Sequence, residues 1–117
     1  GVYWDESAAY EFDAAQIDHL EAVTGELHQL ALHAVDWVVE HGHFEPFGLA
    51  CDSIDEVVRS WRRGDPSLYG RFDFSWDGAG EPKLLEYNAD TPTALLESSV
   101  VQWYWLQDRM PDRDQFN

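Results

Sequence analysis

The chain has 117 residues, 44% of them hydrophobic and 15% aromatic, including six tryptophans. That is the size of one ordinary domain with a single hydrophobic core, and enough apolar surface to offset chain entropy, which excludes a disordered segment. Seven Lys plus Arg against 23 Asp plus Glu give a net charge of −16, a field that repels phosphate backbones and anionic headgroups and so excludes nucleic acid and membrane surfaces as partners.

The acidity is spread from Asp5 to Asp114 and reads as mostly solvated surface. Cys51 is the single cysteine, so an intrachain disulfide and two-Cys zinc motifs are excluded and a reducing, cytoplasmic setting fits. No apolar run approaches the roughly 20 residues of a membrane span, and no basic-then-apolar leader is present. The opening Gly1-Val2-Tyr3-Trp4, without an initiator Met, and the polar close from Met110 to Asn117 read as an excerpt of a longer protein.

From Ala14 to about His41, Ile17, Leu20, Val23, Leu27, Leu30, Ala34 and Val38 recur at steps of three and four, which predicts one long amphipathic helix. Asp13 is its expected N-cap and Gly42 its stop. After a Pro46-Phe47-Gly48 turn, Ser53-Ile54-Asp55-Glu56 reads as a capping box opening a short helix to Arg63, closed by Gly64. The period then changes to two in Arg71–Trp76, a strand, followed by a turn at 77–82 and a returning strand, Lys83–Asn88. Asp90 or Thr91 is expected to cap a third helix with Pro92 at its first position, burying Leu95, Leu96, Ser99, Val100, Trp103 and Leu106. The greasy run Val100–Trp105 suggests that this helix is covered on more than one side. The fold class is α+β: a small antiparallel sheet, the hairpin about 70–89, packed by its aromatic face on one long and two shorter helices.

Alternation along the strands carries the chemistry. Arg71, Asp73 and Ser75 point one way and Phe72, Phe74 and Trp76 the other. On the returning strand Glu86 and Asn88 share a face with Leu84, while Leu85 and Tyr87 match the greasy side. Aligning the greasy faces brings Arg71, Asp73, Glu86 and Asn88 together. Two carboxylates and a carboxamide form an oxygen-only set suited to magnesium, which keeps waters and takes phosphates as its remaining ligands. Arg71 beside them can hold a phosphoryl oxygen. The alternative is an ordinary surface ion pair among Arg71, Asp73 and Glu86 on the solvated side of a hairpin.

Gly70-Arg71-Phe72-Asp73-Phe74 followed by Lys83-Leu84-Leu85-Glu86-Tyr87-Asn88-Ala89-Asp90-Thr91-Pro92-Thr93 resembles the glutathionylspermidine synthase family of ATP-grasp ligases. Tyr3-Trp4-Asp5-Glu6 and Val101-Gln102-Trp103 resemble flanking parts of it, so the likeness covers nearly the whole chain. The resemblance implies ATP and Mg2+ as cofactors, with Arg71 as the catalytic residue near the transferred phosphoryl and Asp73, Glu86 and Asn88 as metal ligands. Arg71 and Asp73 would face the nucleotide. It also implies substrate-binding hydroxyls at Thr91 and Thr93, where the family usually carries serines, so Pro92 between them is a departure bearing on the substrate. The implied reaction joins a carboxylate, such as that of a glutathione-like peptide, to an amine such as a polyamine. Residues 1–117 would be a single domain, a fragment of the pre-ATP-grasp and substrate-binding region without the ATP-grasp lobes, and inactive alone. A non-catalytic acidic module that binds cations or a protein on the same fold is the alternative.

Other residues read as structural. His41 and His43 are taken as exposed or capping rather than metal-binding, Cys51 as a buried small hydrophobe, and the tryptophans mostly as core.

Overall fold

A computed structural model describes residues 4–116. Gly1 to Tyr3, part of the family-like opening stretch, and Asn117 lie outside the described residues.

Helix α1, Ala14–His41, starts and stops where its signals stand. The Asp13 carboxylate accepts from the Gln16 amide at 2.8 Å, and the Gln16 side-chain oxygen accepts from the Asp13 amide at 2.9 Å. This reciprocal box satisfies two donors that a helix start leaves free. Gly42, in the left-handed region at φ 63°, ends the helix and donates to the Val38 carbonyl. The inward face is not quite the expected stripe. Leu20 and Val39 are buried, whereas Leu30 is 63% exposed and Ala34 is exposed as well.

A 3₁₀ turn, Glu45–Phe47, leads to α2, Cys51–Arg63. The expected Ser53–Glu56 capping box is not formed. The helix begins three residues earlier behind Ala50, which provides no side-chain cap, and Glu56 is drawn instead to Arg59 and Arg63. Starting early also leaves Cys51 exposed at the first turn rather than buried. A Trp61 indole N–H donates 2.8 Å to the Asp36 carboxylate and ties α2 to α1.

Strands β1, Arg71–Ser75, and β2, Lys83–Asn88, form a two-stranded antiparallel sheet. Arg71 pairs with Asn88, Phe72 with Tyr87 and Asp73 with Glu86; a bulge follows, and Phe74 then pairs with Leu84 and Ser75 with Lys83. The bulge moves Leu84 from the polar side, where simple alternation puts it, to the position across from Phe74. In the connecting loop the Asp77 carboxylate accepts from the amides of Ala79 and Gly80, with Gly78 at φ 85°.

The aromatic face of the hairpin meets α1, as expected of this α+β arrangement. Tyr87 stacks on Phe72 with ring centroids 3.8 Å apart, its hydroxyl lies 2.9 Å from His28 Nδ1, and Trp76 meets His19. Gln16 donates to the carbonyl of Gly78. The Tyr87 ring needs the space at Gly70, where an added Cβ would lie 2.6 Å from Cε2.

The third helix departs most from expectation. Residues 92–94 are not helical, and helical structure starts at Leu95 with a π turn, Glu97–Val101, before α3, Gln102–Arg109. Ser98 and Ser99 both donate their hydroxyls to the Leu95 carbonyl, competing for the acceptor of an α-turn, and the backbone widens until Gln102 donates to Glu97. Of the expected stripe only Leu106 is buried. Leu95, Leu96, Val100 and Trp103 are exposed, and so are Val101 and Tyr104, because no described element lies over that face.

Buried hydrophobics among the described residues are Leu20, Val39, Phe44 and Leu106, and none of the tryptophans joins them. The radius of gyration is 18.2 Å, against about 13 Å for a compact chain of this length. Ion pairs from Arg109 to Glu6 and from Arg113 to Glu11 draw the two ends together. Replacing Gly70 by Ala should lower the stability of the full-length protein by about 1–3 kcal/mol, because the Tyr87 ring is held on both sides and cannot give way freely; thermal denaturation would read the shift.

Candidate active site

Cross-strand partners share a face, so the pairings of Arg71 with Asn88 and of Asp73 with Glu86 bring the four expected residues together on the side of the hairpin away from the aromatic face. Arg71 and Asp73 stand two apart on one strand and lock together. Arg71 Nε donates 2.7 Å to one carboxylate oxygen of Asp73, and Nη2 donates 3.1 Å to the other. The remaining nitrogen, Nη1, donates 3.2 Å to the Thr93 hydroxyl and reaches the Thr93 carbonyl at 3.5 Å.

Electrostatics follow from that geometry. The hydrogen bonds from Arg71, and then its charge, hold the Asp73 carboxyl below its ordinary value, while Asp73 raises Arg71, with smaller contributions from Glu86 and Tyr69. Glu86 is exposed and makes no hydrogen bond or ion pair with another described side chain. The Asn88 side-chain oxygen accepts from the Asp90 amide at 3.2 Å and keeps a second lone pair.

The segment after β2 bends at Asp90 and Thr91 instead of starting a helix at Pro92. Asn88 holds Asp90, Arg71 holds Thr93, and Ala94 follows at φ 76°, a left-handed conformation that costs a residue with a Cβ about 1–2 kcal/mol. Nothing in the residue type at 94 signals this. Thr91 lines an open cleft of about 410 Å³ with Ser67, Leu68, Tyr69, Asp90 and Pro92. The contribution of residues 67–69 was not visible from sequence, since they lie outside any periodic segment and meet Thr91 only through the fold.

Two histidines considered for metals are occupied otherwise: His41 bonds the Trp37 carbonyl and stacks on its ring, and His43 meets the same ring edge-on. Among the described residues no group of three or more His, Cys, Asp or Glu side chains is placed to hold a metal ion. The hairpin set differs in having two carboxylates with a carboxamide as its third oxygen donor.

A family profile described as "Glutathionylspermidine synthase preATP-grasp" matches residues 1–117. The chain belongs to the glutathionylspermidine synthase family. It is 45% identical over 117 residues to a Haemophilus influenzae protein named "Putative acid--amine ligase", covering 98% of this chain and 30% of that protein. It is 35% identical over 100 residues to the glutathionylspermidine synthase of Crithidia fasciculata, covering 81% of this chain and 14% of the relative. The bifunctional glutathionylspermidine synthetase/amidase of Escherichia coli strain K12 is 31% identical over 104 residues, 84% of this chain and 16% of its own length. The chain thus spans less than a third of the length of these curated relatives. Membership in this family agrees with the α+β architecture, and no helix among the described residues is long and apolar enough to cross a membrane.

The pairing of Asp73 with Arg71 stabilises the protein above the ordinary aspartate pKa and is lost as pH falls through the lowered one. In Arg71→Ala the Asp73 carboxyl should titrate higher, at or above the ordinary aspartate value with Glu86 opposite it; side-chain NMR across acid pH would detect the rise.

Proposed function

We propose that the full protein is an ATP-dependent acid–amine ligase, of which this chain, as a single pre-ATP-grasp domain, supplies the substrate-side half of the active site and is inactive alone. The observation that carries this reading is the β1–β2 register, which gathers Arg71, Asp73, Glu86 and Asn88 on one face; family membership supports the reaction class.

Asp73, Glu86 and Asn88 present oxygen donors only, and Asp73 and Glu86 face each other as like charges, an arrangement eased by a hard cation between them. They would hold Mg2+, which supplies charge neutralisation for the phosphates of ATP. The side chains of Asp73 and Arg71 would face the nucleotide, and Arg71 would steady charge on the transferred phosphoryl group. The carboxylate substrate attacks the γ-phosphorus and ADP leaves with the bonding pair. The amine lone pair then attacks the acyl carbon, phosphate departs, and the amine gives up a proton to leave an amide.

Thr91, in its cleft, and Thr93, on Arg71, are the hydroxyls assigned to the acid substrate. The named activities of relatives support a glutathione-like peptide and a polyamine-like amine as substrates. The exposed free thiol of Cys51 suits a cytoplasmic setting.

In full-length protein supplied with ATP, Mg2+, peptide carboxylates and polyamines, Asp73→Asn and Arg71→Ala should each lower kcat by about 10²- to 10³-fold, the scale set by loss of one preorganised electrostatic contact. ADP release coupled to amide formation is the assay. Unchanged turnover in Asp73→Asn would remove the metal assignment, and no turnover with any amine would favour a non-catalytic acidic binding module. Thr91→Val is expected to raise KM for the acid substrate with kcat largely preserved, as for a contact made equally in ground and transition states.

A further inference from the structure

Arg71 and a divalent cation want the same atoms. Both oxygens of Asp73 accept from Arg71, at 2.7 and 3.1 Å, so the carboxylate faces its neighbours as half of a bidentate pair. We infer that Arg71 guards Asp73: a cation takes the bidentate edge of the carboxylate by displacing the Nε–Nη2 edge of the guanidinium, and that edge is thereby turned free for a phosphoryl oxygen. This rests on the metal reading above and goes beyond it by linking metal loading to the availability of the arginine.

Three features of the structure make the exchange possible and directed. Nη1 is bonded separately, 3.2 Å from the Thr93 hydroxyl, so Arg71 keeps an anchor after Asp73 lets go. That anchor stands next to Ala94 at φ 76°, a costly conformation that the surrounding segment maintains and that sets Thr93 against the guanidinium. Glu86 lies directly across from Asp73. If Arg71 simply swung away, two carboxylates would face each other without a counter-charge, which disfavours release until another cation takes its place. Thr93 is on this account a positioning residue for Arg71. Reciprocity follows: an anion on the freed edge of Arg71 and a cation on Asp73 must each favour the other.

The test is direct cation binding to the full-length protein without nucleotide, using Mn2+ followed by electron paramagnetic resonance, on native, Arg71→Ala, Arg71→Lys and Asp73→Asn forms whose folding is checked by circular dichroism. Both Arg71 variants should bind Mn2+ more tightly, by up to about fivefold, the range set by an exposed ion pair. Lysine is the informative substitution because it keeps the charge but cannot span both carboxylate oxygens. Tightening in Arg71→Ala with native affinity in Arg71→Lys would mean a bulk charge effect and would overturn the guard. No tightening in either, with weaker binding in Asp73→Asn, would overturn the guard and leave the metal site standing. Native affinity in Asp73→Asn would remove the metal reading and the guard with it.

Discussion

The stack of Tyr87 on Phe72 is the contact on which the rest of this structure depends. It pairs the two strands at one point, and its hydroxyl, 2.9 Å from His28, ties them to the long helix. Side chains in strands alternate, so a slip of one residue would carry every polar group to the wrong face. A register pinned by two aromatic rings on the helix side therefore decides that Arg71 stands opposite Asn88 and Asp73 opposite Glu86 on the other. The space left by Gly70 belongs to the same device, since only a residue without a Cβ lets the Tyr87 ring lie there.

An arrangement that sets Asp73 against Glu86 in a chain of net charge −16 is electrostatically costly unless something positive intervenes. Arg71 does so from the adjacent position on the same face. A guanidinium grips both carboxylate oxygens with a planar fork, and its third nitrogen remains for Thr93. The segment from Asn88 to Ala94 is shaped by these contacts, and this is why Pro92 does not open a helix although its φ preference would suit one.

Period-two alternation made the hairpin and its polar quartet legible, because a strand of five or six residues has only two faces and Phe72, Phe74 and Tyr87 mark one of them. The bulge after Asp73 was not legible: Leu84 and Leu85 are equally apolar, and nothing in their order says which one leaves the ladder. Asp13 and Gly42 were readable as helix ends because their chemistry is local. Ser53 and Glu56 had the same local credentials, yet Arg59 and Arg63 offered Glu56 stronger partners. Burial was the least readable property. The helical stripes were read as core positions, but a stripe becomes core only when another surface covers it.

That last point joins the energetics of the fold to its chemistry. Leu95, Leu96, Val100 and Tyr104 form apolar surface that no described element covers, and a two-stranded hairpin is of marginal stability by itself. Exposed large apolar side chains gathered on one short segment are the kind of surface that other protein commonly covers. The polar quartet is equally open, with Asp73 38% exposed and Glu86 exposed beside it. Electrostatic catalysis is effective where water is excluded, and these residues cannot exclude it among themselves. On the function proposed, stability and chemistry make the same demand on the full protein: one surface to cover α3, and one to close over Arg71 and Asp73. In the Haemophilus influenzae relative, 45% identical, the matched part is 30% of the length, so in that protein such surfaces have chain to come from.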